Sequence, residues 1–193
     1  MRGLKLFILV LAVIAGWSGM PKPAVGQAMP VYRLNPGDIV RISVWREEEL
    51  LREARIQPDG TVSYPLVGSV PAAGRTPGEV SDTITERLEE FIPDAVVTVE
   101  LLEALGYRVY VVGEVNAPGE YQLSQPITAM QALSIAGGLT PFAGPSGIRI
   151  LRTEGGEQTN IAFDYNAVAD DGEMEKNIYL QAGDTVIVPA SLF

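Results

Sequence analysis

The motif Leu-x-x-Gly-Asp-x-Val occurs near each end of this chain, once over Leu34 to Val40 and again over Leu180 to Val186. In both copies a Gly-Asp turn, built by Gly37-Asp38 and Gly183-Asp184, feeds a run of β-branched residues, which is how a strand entered through a tight turn is written. Val40, Ile42 and Val44 alternate within the first run, so they share one face of a strand over 38–45. Two readings follow. The terminal strands pair in one sheet and close a domain discontinuously, or the Gly-Asp turn recurs because such turns are common. The sequence leaves both open.

Between the two copies the chain is heavily punctuated. Residues 46–55, REEELLREAR, form a mixed acidic and basic segment, followed by IQPDGTVSYPLVGSVPAAGRTPGEV. Here Pro58-Asp59-Gly60 makes a hairpin-type turn, Thr61 to Tyr64 a short strand, and Pro65 and Gly68 bend the path before Ser69-Val70. A helix then opens with Thr76 as N-cap, Pro77 at its first position and Glu79 completing a capping box. Val80, Ile84, Leu88 and Phe91 supply one apolar stripe, and Pro93 stops the helix before a strand over 95–101. Tyr107 to Val112 is a further strand that alternates around Arg108. A turn-rich run from Gly113 to Tyr121 leads to a second boxed helix, capped by Thr128 and Gln131, with Ile127 stapled onto Ala132 and the end at Gly137-Gly138. Strands over 148–152 and 159–163 flank the Glu154-Gly155-Gly156-Glu157 turn, and a solvated loop over 170–173 precedes the closing strand. Short strands with one helix per half predict an α+β fold, not a doubly wound parallel sheet.

The amino terminus reads as a secretory signal peptide over 1–28. Arg2 and Lys5 form its basic region, Leu6 to Ala15 its apolar region and Gly26-Gln27-Ala28 its small-residue cleavage signal. An uncleaved anchor is the other reading of the same run, although it breaks at Gly16 well short of the roughly 20 residues a spanning helix needs. Cleavage leaves about 165 residues, enough for one medium domain or two small ones. The full chain carries a net charge of −10, and removing Arg2, Lys5 and Lys22 makes it more negative still. Such a surface repels phosphate backbones, which argues against a nucleic-acid partner.

The chain has no Cys and no His. That removes thiolate nucleophiles, a lipid-bearing Cys, Ser-His-Asp triads and His-ligated zinc, and leaves carboxylate chemistry or none. Glu47 to Glu49 and Asp170 to Glu173 are the visible acidic runs; both read as solvated faces or turns, and the second lacks the spaced acids of an EF-hand loop. The segment from Gly113 to Gly119 has neither the spacing nor the Lys of a phosphate-binding loop. No catalytic residue, metal ligand or cofactor is therefore expected. Trp45, Tyr64, Tyr107, Tyr110 and Tyr121 are aromatic candidates for sugar contact, but aromatics in strands read first as core.

Taken in order, YRLNPGDIVRISVW and the 56–88 stretch resemble the polysaccharide export domain of bacterial capsule and exopolysaccharide export proteins. YVVGEVNAPGEYQL, ITAMQALSIAGGLTPFA and LQAGDTVIVPA resemble one soluble-ligand-binding β-grasp (SLBB) module. The resemblance implies an export domain over 31–102, with the 38–45 strand as a possible addition to the second domain, and a β-grasp domain over 106–190. It implies no enzymatic activity but a passive role in an export conduit for polysaccharide, assembled as a homo-oligomer and fed by an inner-membrane polysaccharide co-polymerase. Asp59, Gly60, Tyr64, Pro65, Gly68 and Gly74 are expected to shape the first domain, and Gly113, Glu114, Val115, Pro118, Gly119 and Gly138 the second, with Asp38 and Asp184 as turn formers. Pore-forming relatives carry a lipidated Cys, further β-grasp modules and a carboxyl-terminal amphipathic helix. Here Val188 to Phe193 follow the closing strand directly, so the expectation is a short periplasmic form, not lipidated, that works with a separate outer-membrane β-barrel. A monomeric periplasmic module binding a soluble sugar or other small ligand is the competing reading.

Overall fold

A computed structural model of the chain describes residues 28–191. The expected signal peptide, apart from Ala28, lies outside the described residues, as do Leu192 and Phe193.

Period-two alternation produces the first sheet. In β1 (Ile39–Val44), Val40, Ile42 and Val44 are buried while the residues between them are partly exposed. β1 is the centre of a three-stranded antiparallel sheet, with β2 (Glu47–Arg55) on one side and β5 (Val97–Glu103) on the other. A separate hairpin joins β3 (Thr61–Tyr64) to β4 (Gly68–Pro71), as the turn residues predict. The helix α1 (Pro77–Leu88) starts at Thr76 with both halves of the capping box formed. Its Val80, Ile84 and Leu88 are fully buried and pack with Leu34, Ile42 and Ile56 in one core. Ser81 fixes the helix to the sheet by donating from Oγ to the Val97 carbonyl at 2.7 Å.

The expected stripe is one residue too long. α1 ends at Leu88 with Glu89 as its C-cap, so Phe91 lies past the last helical turn and is 54 % exposed. Within the segment 46–55, for which local sequence predicts no element, Glu47–Arg55 forms an edge strand despite a composition poor in β-formers. Its charges suit that place: Arg41 of β1 pairs with Glu53 across the ladder at 2.8 Å, and a charged edge resists pairing with other chains.

The second sheet is five-stranded and mixed, in the order β7 (Gly119–Gln122), β6 (Arg108–Gly113), β10 (Thr185–Val188), β8 (Ile148–Glu154), β9 (Glu157–Phe163). β10 runs parallel to β6 and antiparallel to β8. The helix α2 (Ala129–Ile135), with its Thr128–Gln131 capping box formed, lays Ala129, Ala132 and Leu133 on this sheet, where they meet Val111, Ile150 and Val186. Its end at Gly137 and Gly138 is left-handed, with φ of +78° and +81°. A short helix, α3 (Tyr165–Ala169), capped by the Asp164 carboxylate, was not anticipated. The fold is α+β, with one core per sheet.

The two terminal strands do not pair. Both lateral edges of β1 are occupied by β2 and β5, and both edges of β10 by β6 and β8, so neither has free backbone groups to offer the other. Each copy of the repeated motif opens the central strand of its own sheet.

Candidate functional site

The two Gly-Asp turns have the same internal construction. Asp38 Oδ2 accepts from the Asn35 amide at 2.7 Å, and Asp184 Oδ2 from the Gln181 amide at 2.8 Å, while the Asp amide in each copy donates back to the carbonyl of that same residue. Gly37 and Gly183 sit at φ of +100° and +89°, the left-handed region open to glycine. Both carboxylates are completely buried, at 0 % and 1 % exposure, so each must be satisfied internally.

They are satisfied differently, and the difference builds the seam between the modules. Asp184 takes the guanidinium of Arg152, with Nη2 at 2.6 Å and Nε at 3.0 Å. That contact raises the Arg152 pKa further. Asp38 instead takes the Tyr32 hydroxyl at 2.8 Å and, across the seam, the Gly106 amide at 2.7 Å. Gly106 is held so closely that a Cβ there would stand 2.3 Å from the Pro36 carbonyl oxygen. Beside it Tyr107 meets Tyr32 with ring centroids 5.9 Å apart, and its hydroxyl donates to the Leu180 carbonyl in the second Gly-Asp turn. A chain of contacts thus runs from one repeat to the other.

Burial pushes the Tyr107 hydroxyl up to about 12, with the nearby Asp184 charge adding to the effect. Burial raises Tyr32 further, beyond the tyrosine range. An unfolded tyrosine ionises near 10, so the neutral form's contribution to stability is fully present below pH 10 and is lost as pH rises toward 12. Alkaline titration followed by phenolate absorbance, with stability measured in parallel, is expected to show loss of folded protein in that window. Tyr107→Phe should shrink the loss.

Next to this seam lies a cleft of about 400 Å³, lined by Pro36, Gly37, Arg55, Leu105, Gly106, Arg108 and Gln122. Arg108 pairs with Glu120 at 3.1 Å, both side chains being 45 % exposed. Arg55, at the end of β2, pairs with Ile39 in the ladder, and its side chain has no hydrogen-bond or ion-pair partner among the described residues.

None of the nominated site residues lines this cleft. In the first module they occupy the two ends of the β3–β4 hairpin. Asp59 accepts from the Thr61 amide and hydroxyl, which lowers its pKa, and the Gly60 carbonyl accepts from Ala72 and Ala73. The Gly74 amide donates to Leu34. At the other end Tyr64 is buried with its hydroxyl on the Leu50 carbonyl, and Pro65 and Gly68 bracket the turn. In the second module Gly113, Glu114, Val115 and Gly138 come together where the loop after β6 wraps the end of α2. The Glu114 carboxylate accepts from the Thr140 hydroxyl at 2.6 Å, Val115 bridges to Leu139, and the Asn116 amide group donates to the Gly137 carbonyl. Pro118 and Gly119 lie beyond them, exposed. These residues hold turns and do not converge on one pocket.

The aromatics divide. Tyr64 and Tyr107 are core, as expected, and Tyr121 is half-buried, but Trp45 is 71 % exposed and Tyr110 37 %. Trp45 stands where β1 turns into β2, next to Arg46 at φ +67°, and that turn carries its ring away from the sheet's packed face. Arg55 and Arg108 were missed as a pair. The only signal was Arg108 interrupting a Val-rich strand, and nothing local linked it to a residue more than fifty positions away. Among the described residues no cluster of acidic side chains is arranged to hold a metal ion, and no helix is long and apolar enough to cross a membrane.

The two-module organisation has known counterparts. Residues 26–102 match the polysaccharide biosynthesis/export protein family, and residues 107–188 match the SLBB domain. The chain belongs to the bacterial polysaccharide export proteins, with one export domain followed by one SLBB domain. It is 32 % identical over 190 residues to the EPS I polysaccharide export outer membrane protein EpsA of Ralstonia nicotianae, covering 86 % of this chain and 49 % of that protein. It is 34 % identical over 124 residues to the exopolysaccharide production protein ExoF of Rhizobium meliloti, covering 56 % and 28 %. With the capsule polysaccharide export outer membrane protein CtrA of Neisseria meningitidis it shares 27 % over 177 residues, covering 79 % and 43 %. The chain spans about half the length of the first of these relatives.

Proposed function

We propose that this protein is a non-enzymatic component of a capsule or exopolysaccharide secretion system, working in the periplasm against the outer membrane as one segment of the export conduit. The observation that carries this reading is the ordered pair of family matches, export domain then SLBB domain, on a chain whose two cores are joined by a hydrogen-bonded seam. The seam favours a rigid building block: the Gly106 amide is held by a fully buried carboxylate, so the modules are tied and not strung on a free linker. Copies packing side by side would enclose the polymer, with the turns at Asp59, Gly60, Tyr64, Pro65, Gly68 and Gly74 and those at Gly113, Glu114, Val115, Pro118, Gly119 and Gly138 setting the shape of the packed faces. An inner-membrane co-polymerase would deliver polymer, and a separate outer-membrane β-barrel would complete the path.

Deletion of the gene tests the reading. Surface polysaccharide is expected to fall severalfold while polymer accumulates inside the cell, and re-expression of the full chain restores export. Normal delivery in the deletion strain would refute it. Light scattering of the purified protein separates a multi-subunit assembly from the competing monomeric sugar-binding module.

A further inference from the structure

We propose that the cleft at the seam binds an acidic sugar unit of the exported polymer through a uronic-acid carboxylate; this rests on the export reading above. The cleft is a polar one: Pro36, Leu105 and the two glycines Gly37 and Gly106 give an uncharged wall, and Arg55, Arg108 and Gln122 supply the polar groups. Its volume of about 400 Å³ suits one or two sugar rings. Two guanidinium groups line one concavity, and a guanidinium matches a carboxylate with two parallel N–H···O bonds.

The two arginine side chains carry little of the fold's bonding. The Arg55 side chain has no hydrogen-bond or ion-pair partner among the described residues, and Arg108 donates from Nε to the Leu105 carbonyl at 3.2 Å while its Nη1 holds Glu120 in an exposed pair that an incoming carboxylate displaces at little cost. Arg152, the arginine the fold does use, is locked onto Asp184 and does not line the cleft. The full chain carries a net charge of −10 and repels an acidic polymer as a whole, so holding one takes a local pairing of cations such as this cleft offers. A shallow, salt-sensitive hold of this kind lets a polymer be guided and released, as a conduit requires.

The groups that would hold it come from both modules at once. Arg55 and Pro36 to Gly37 belong to the first, Arg108 and Gln122 to the second, and the Asp38–Gly106 bond sets their separation.

The test titrates the full chain, isotopically labelled, with glucuronate and with glucose as the neutral control. Glucuronate should shift the amides of Gly37, Gly106 and Gln122 and leave Gly155 still, bind at least tenfold more tightly than glucose, and weaken as salt rises from about 20 mM to about 300 mM. Arg55→Gln, which removes no side-chain hydrogen bond or ion pair among the described residues, should weaken glucuronate at least tenfold, and Arg108→Gln likewise. Equal binding of glucose and glucuronate, shifts elsewhere, or an unchanged affinity in R55Q would each overturn the proposal. Complementation of the deletion strain keeps the two readings apart. If the wild-type chain restores export but glucuronate does not bind, the cleft assignment fails and the export role stands.

Discussion

Gly113→Ala lowers the stability of the second module by about 3 kcal/mol or more, combining about 1–3 kcal/mol for a non-glycine residue in a disfavoured backbone region with a similar cost for overlap. Gly113 sits at φ +95°, and a Cβ there would lie 2.0 Å from the Val188 carbonyl oxygen. That oxygen is part of the backbone, at the last position of the parallel β6–β10 ladder, and it accepts from the Glu114 amide. It cannot rotate away as a side chain would, so the ladder itself must open. Gly119→Ala is the control. It has no neighbour within reach of a Cβ and no positive φ, so its expected change is within about 0.5 kcal/mol. Urea unfolding followed by far-ultraviolet circular dichroism compares the two, and equal midpoints would show that the β6–β10 contact is not as described.

Asp184→Ala should cost about 3–5 kcal/mol, the range for breaking a buried ion pair by deleting one partner. The carboxylate is 1 % exposed and accepts from Arg152, whose side chain is 16 % exposed, and from the Gln181 amide, so its loss leaves both donors without it. Arg152 keeps only its bond to the Tyr179 carbonyl. Replacing both members with apolar residues of similar volume, Asp184→Leu with Arg152→Met, should recover a large part of the loss, because no charge is then stranded. A loss below about 1 kcal/mol for D184A would mean that the pair is solvated and the turn is held by its backbone alone.

Much of the fold was legible in local sequence. Both capping boxes formed at Thr76 and Thr128, the β1 alternation placed Val40, Ile42 and Val44 inside, and the Pro58-Asp59-Gly60 turn opened the β3–β4 hairpin. Other features escaped the local reading. The segment 46–55, assigned no element, holds a strand because β1 needed a partner on that edge, and the stripe of α1 lost Phe91 because the helix stopped at Leu88. The buried roles of Asp38 and Asp184 went beyond turn formation, since their partners Gly106 and Arg152 are distant in the chain. The candidate site was the least legible part: Arg55 and Arg108 lie in different modules and meet at one cleft only because the seam is closed.

The amino-acid sequence alone determined the turns, the helix starts, the strand faces, the α+β class and the family, because each depends on residues a few positions apart or on motifs read in order. The tertiary structure decided which strands are neighbours, that each Gly-Asp repeat opens the centre of its own sheet, and that two arginines share a cleft. Those outcomes turn on which backbone edges remain free and on contacts between distant residues, and no local pattern encodes either.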